Sequence, residues 1–219
     1  MLRAAASDLY YNSVRLVAAN VVWALALLVV VYSVMRAPLL APLLVVIVPL
    51  SVGLMGMATT LTRHGRLFWS DWTDAIRRRF VAHTALGVAQ LVLAAIAIVD
   101  VLVGIRIPGL LGPIVAVVGA YSLAAIWVLS MTSWPLLLDP LRSDDGIVRT
   151  LRLGAVLAIA HPLRIGALAL VIAVLMAASV VLAAALVTVS GAYAALVLAR
   201  YVLPAADRLE GRATQELLD

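Results

Sequence analysis

Twenty consecutive residues, Leu16 to Met35, carry no charged side chain. A helix of that length covers about 30 Å, the thickness of a bilayer's hydrocarbon core. Similar runs follow at Pro38–Leu61, Val81–Ile105 and Leu110–Leu138, and the forty residues Leu163–Val202 are apolar but for Arg164, Arg200 and a few small polar side chains. Forty residues are too many for one ordinary span, so they divide into two, with the joint expected near Val180 to Leu186. Lipid offers no hydrogen-bond partner to a bare backbone, so each run must be a helix. The chain therefore reads as an all-α, polytopic membrane protein: a six-span helical bundle. Composition agrees. The 219 residues are 65% hydrophobic and 12% charged, whereas a soluble domain is about 45–50% apolar and about 25% charged.

All sixteen basic residues are arginines. They fall in short connectors, which speaks for topology rather than nucleic-acid binding. The N-terminus, the two long connectors and the C-terminal end hold fourteen of them; Arg36 and Arg106 lie on the other side. This asymmetry predicts both termini in the cytosol of a bacterial plasma membrane. The first run is too long for the apolar core of a cleavable signal, so it is expected to remain as a span. Residues 1–15 read as a cytosolic lead, residues 16–203 as the six-span domain, and residues 204–219 as a polar tail. The absence of cysteine excludes disulfides and thiol chemistry.

Two polar connectors, at about 63–80 and 139–162, interrupt the apolar pattern. In the first, Phe68, Ala75, Trp72, Ile76, Trp69 and Phe80 share an arc of about 140° on a helical projection. Ser70, Asp71, Thr73, Asp74, Arg77 and Arg78 fill the opposite side, and Arg79 alone breaks the pattern. Aromatic residues beside arginines suit an interfacial helix on anionic lipid headgroups. Phe68, Trp69, Trp72, Ile76, Arg77, Arg78 and Arg79 are thus the expected membrane-interface residues. In the second connector, Asp144 and Asp145 suit a helix start. That helix should run to Ala160 and stop at His161–Pro162. Each half of the chain then has a span, an amphipathic connector and a histidine near the start of the next span, His83 and His161. A weak internal repeat would look like this.

Three stretches resemble the YesL-like family of small bacterial membrane proteins. They are Asn20-Val-Val-Trp23, Phe68-Trp-Ser-Asp71-Trp72 through Arg77-Arg78-Arg79-Phe80, and Arg149-Thr-Leu-Arg152 through His161-Pro162. The resemblance spans residues 9 to 205, with Arg79 and His161 standing where that family usually has Asn. It implies a membrane domain without an assigned molecular function, whose relatives are associated with carbohydrate uptake and glycoside hydrolysis.

Candidate chemistry is sparse. The three histidines lack metal-ligand spacing, no phosphate-binding loop or intramembrane protease motif is present, and no cofactor is expected. Asp100 and Arg106 are close enough along the chain to suggest an ion pair at the outer interface. His83, Gly87, Gln90, Ala94 and Ala97 form one stripe of the third span, which marks a face turned toward protein. Asn20, His83 and Gln90 are the candidate ligand-binding residues, with Asn20 or a fourth-span serine as the expected partner of Gln90. The expected role is that of a non-enzymatic accessory or scaffold protein of carbohydrate uptake, in contact with a membrane partner such as an uptake permease. A small-solute transporter, or its substrate-binding subunit, is the alternative.

The arginine asymmetry is directly testable because the chain has no cysteine of its own. A membrane-impermeant thiol reagent on intact cells should label Ile107→Cys and spare Arg66→Cys and Ser143→Cys. Labelling at position 66 before lysis would reverse the topology.

Overall fold

The computed structural model describes residues 2–182 and 186–211. Every regular element among them is helical. Helix α1 (Leu2–Tyr11) precedes α2 (Ser13–Arg36). A 3-10 segment (Pro38–Val46) leads into α3 (Ile47–His64), and α4 (Trp69–Arg77) forms the first connector. The hairpin α5 (Phe80–Gly104) and α6 (Leu111–Leu137) comes next, then α7 (Ile147–Ala160), α8 (Pro162–Val181), a π-helical turn (Leu186–Ser190) and α9 (Gly191–Glu210). Among the described residues six segments are long and apolar enough to cross a membrane: Ser13–Arg36, Pro38–His64, Phe80–Gly104, Leu111–Leu137, Pro162–Ser179 and Val187–Glu210. The chain is a multi-pass α-helical bundle. The joint between the last two spans falls on residues 183–185, outside the described residues.

Three boundaries differ from expectation. The second span opens as 3-10 rather than α-helix, where Pro38 and Pro42 withhold backbone donors. The N-terminal lead is a helix docked on α9, with Ala5 fully buried and the Asp8 carboxylate paired to Arg200. Pro204 does not end the last span; α9 continues through it to Glu210 and is capped by Gly211 in the left-handed conformation.

Helix α9 is the hub. Ala192, Ala194, Ala195, Leu196, Val197, Leu198, Ala199, Val202, Leu203 and Ala206 are all buried along it, against α1, α2, α3, α6 and α7. Its alanines let neighbouring backbones approach closely, the usual basis of helix association in lipid. At its start, a Cβ on Gly191 would lie 2.6 Å from Asn20 Oδ1 and 2.9 Å from the Trp23 ring.

The amphipathic α4 forms as expected, but its apolar arc divides. Trp72 is buried and packs on α3, where a Cβ on Gly53 would meet its indole at 2.5 Å. Ala75 lies over Gly56, and Ile76 packs against the core. Trp72, Ile76 and Ala75 therefore face the bundle, not lipid. Phe68 and Trp69 remain outward, 55% and 53% exposed. The Asp71 carboxylate accepts from the Phe68 N–H at 2.6 Å and caps the helix start. Arg15 of α2 donates to the Leu67 carbonyl at 2.5 Å and lies over the Phe68 ring, fixing the approach to α4.

Arg79, expected at the membrane interface, has a structural role instead. It is the one non-glycine residue with positive φ (52°) among the described residues, and it makes the corner between α4 and α5. Its guanidinium donates to the Asp145 carbonyl at 2.6 Å, so both connectors sit at the same end of the bundle. There α7 lies along α6 through Gly154, beside Ser133, and buries Thr150, Gly154 and Leu157. His161 ends α7 and Pro162 starts α8, as expected.

The α3–α4 contact should be steeply intolerant of added volume. Gly56→Ala places its methyl 2.2 Å from the Ala75 Cβ and should cost about 1–3 kcal/mol. Unfolding in detergent of Gly56→Ala, Ala75→Gly and the double variant should give a coupling of about 1–2 kcal/mol. Additive losses would mean the two helices do not touch there.

Candidate functional site

The connectors, the end of α3 and the end of α9 meet in a charged cluster. Asp139 follows the last turn of α6, just before the 3-10 turn Pro140–Arg142. Its carboxylate is fully buried and accepts four hydrogen bonds. Oδ1 takes Arg63 Nε at 3.0 Å and the Leu141 N–H at 3.2 Å. Oδ2 takes Arg63 Nη2 at 2.6 Å and Arg142 Nη1. A carboxylate offers about four acceptor sites, so none is left over.

The same two arginines reach α9. Arg63 Nη1 meets Asp207 Oδ2 at 2.6 Å. Arg142 Nη2 meets Asp207 Oδ1 at 2.6 Å and Glu210 Oε2 at 2.8 Å. Arg149 completes the set, 3.7 Å from Glu210 and 2.8 Å from Asp145, its i−4 neighbour just before α7. Burial works against the Arg142 charge, but hydrogen bonds to Asp207 and Glu210 and the field of Asp139 outweigh it and hold the guanidinium above its ordinary range. Thr59 adds a neutral tie, donating to the Leu138 carbonyl at 2.9 Å. The carboxylates are bridged by guanidinium groups, and no group of three or more potential ligands is arranged to hold a metal among the described residues.

Beside the cluster lies a cavity of about 260 Å³ between α3, α4 and the 3-10 turn. His64, Arg66, Asp71, Asp74 and Arg78 all line it. Mixed charge of this kind suits a polar or zwitterionic group rather than an anion or a cation alone.

The candidate residues inside the spans occupy two separate places. Asn20 is wholly buried between α2 and α9; its amide donates to the Val187 carbonyl and accepts from the Ala192 N–H, both at 2.8 Å. Trp23 donates to Ser51 at 2.9 Å. Gln90 bonds the fourth span, as expected of it, but its partner is Trp134, which donates to Oε1 at 2.8 Å, and neither Asn20 nor a serine. His83 is 2% exposed and packs edge-on to the same Trp134 ring, and its Nδ1 has no partner among the described residues. The expected Asp100–Arg106 pair does not form; Asp100 lies against Gly119 of α6.

The charged cluster was not anticipated. Its members stand 76, 144 and 65 residues apart, beyond any local spacing rule. The available signal was the placement of Asp139 and Asp207 at span ends otherwise rich in arginine. In comparisons with known proteins, no family model, curated protein or solved structure matches this chain.

Arg142→Met would strand Asp139 in a buried site with one partner fewer. By analogy with broken buried pairs it should cost about 3–5 kcal/mol. Arg66→Met, on an exposed side chain, should stay within about 0.5 kcal/mol. Unfolding of both variants in detergent measures the difference; equal losses would mean the cluster is no more than surface charge.

Proposed function

We propose that this chain is a non-enzymatic accessory or scaffold protein of the bacterial cytoplasmic membrane. In this reading the arginine-rich end, with both connectors and both termini, faces the cytosol and presents a rigid platform to a membrane partner such as an uptake permease. The observation that carries it is the use of the intramembrane polar side chains. Asn20, Trp23 and Gln90 each bond a neighbouring helix, which is a structural rather than a transport arrangement. Polar order is concentrated instead at the arginine-rich end. There the outward Phe68 and Trp69, with Arg77 and Arg78, suit anionic headgroups. The link to carbohydrate uptake rests on the resemblance of the Asn20–Trp23, Phe68–Phe80 and Arg149–Pro162 stretches to the YesL-like family.

One observation favours the alternative, a small-solute transporter. The buried His83 Nδ1, without a partner among the described residues, sits beside the Gln90–Trp134 bond on the stripe of the third span. A polar atom without a partner there could meet a solute.

Gln90→Leu separates the two readings. As a structural bond it should cost about 0.5–2 kcal/mol. Retention of a permease partner in mild detergent should then fall only as far as folded protein falls. Wild-type melting together with lost solute uptake in liposomes would instead establish the transporter.

A further inference from the structure

A second cavity, of about 660 Å³, opens between α1, the start of α8 and the C-terminal half of α9. Its polar lining is wholly basic or neutral: His161, Arg164, Arg200 and Arg208, with no carboxylate. Tyr201 and Leu209 give it an apolar wall. Arg200 is already neutralised by Asp8 of α1. Arg164 and Arg208 are exposed, and their guanidinium groups have no ion pair or hydrogen bond among the described residues. Elsewhere at this end Arg63, Arg142, Arg149 and Arg79 bind carboxylates or carbonyls, and Arg66 and Arg78 share their cavity with Asp71 and Asp74.

We propose that this crevice binds the phosphate headgroup of an anionic glycerophospholipid, held by Arg164 and Arg208. Two guanidinium groups lining one cavity repel each other, and an anion between them removes that penalty. The planar guanidinium fork matches phosphate oxygens in pairs. The source is lipid rather than free phosphate because of position. Arg164 is the third residue of the Pro162–Ser179 span, where lipid phosphates lie, and the apolar wall suits the glycerol and first acyl carbons. Basic pockets between spans are a known form of headgroup recognition. The neighbouring cavity beside α4 lacks this selectivity because Asp71 and Asp74 line it. No residue of α4 lines this crevice.

The test uses the full chain in a neutral detergent, with bound lipids counted by native mass spectrometry. The wild-type chain should retain phosphatidylglycerol in preference to phosphatidylcholine. The Arg164→Ala/Arg208→Ala variant should retain it about tenfold or more weakly, as expected for loss of two charge-assisted contacts. Arg77→Ala/Arg78→Ala, on the elbow, should retain it as the wild type does, and excess inorganic phosphate should not displace it. Equal retention of phosphatidylcholine, unchanged retention by the Arg164/Arg208 variant, or equal loss in the elbow variant would each overturn the site. Displacement by inorganic phosphate would overturn the assignment to lipid. Neither substituted arginine side chain has a partner among the described residues, so melting without lipid should be unchanged. If it is lowered, the phosphatidylglycerol preference of the wild-type chain decides.

Discussion

One carboxylate, Asp139, ties together the end of α6, the end of α3 and the 3-10 turn that follows it, and through Arg63 and Arg142 it reaches α9. Desolvating charges costs several kcal/mol per ion, and such a cluster is stable only when each lone pair and each proton finds a partner. Asp139 meets that condition with four donors. Arg142 nearly does; its Nε is buried without a partner among the described residues. In a cluster of this kind a shifted helix would leave a buried charge uncompensated, and this one joins the ends of α3, α6 and α9.

Within the spans a different force takes over. Lipid tails are as apolar as leucine, so burial of apolar side chains does not drive helices together there. Close fit does. Gly191 admits Asn20 and Trp23 against α9, and Gly53 and Gly56 admit Trp72 and Ala75 of α4. The alanine-rich face of α9 extends the same device along a whole helix. Asn20, Trp23 and Gln90 add hydrogen bonds at points already brought close by small residues.

These two layers explain why chemistry gathers at one end. The spans offer few unassigned polar atoms, of which His83 Nδ1 is the clearest. The arginine-rich end offers a mixed-charge cavity, a basic crevice and an outward aromatic edge at Phe68 and Trp69. The corner at Arg79 couples them, since a left-handed backbone turns the chain from α4 into α5 while the side chain reaches the second connector.

The six spans and their approximate bounds were legible in the sequence because hydrocarbon thickness imposes a length and forbids unpaired backbone. The α4 helix was legible from its periodicity, and the stop at His161–Pro162 from the geometry of proline. What periodicity could not say is which apolar surface the arc meets. Lipid and the glycine-lined side of α3 select the same side chains, so Trp72 and Ile76 were placed on the wrong partner while Phe68 and Trp69 stayed outward. The Asp139–Arg63–Asp207 cluster and the Gln90–Trp134 bond were decided by tertiary structure alone. Their members are far apart in the chain, and an arginine at a span end looks the same whether it faces water, a headgroup or a buried carboxylate.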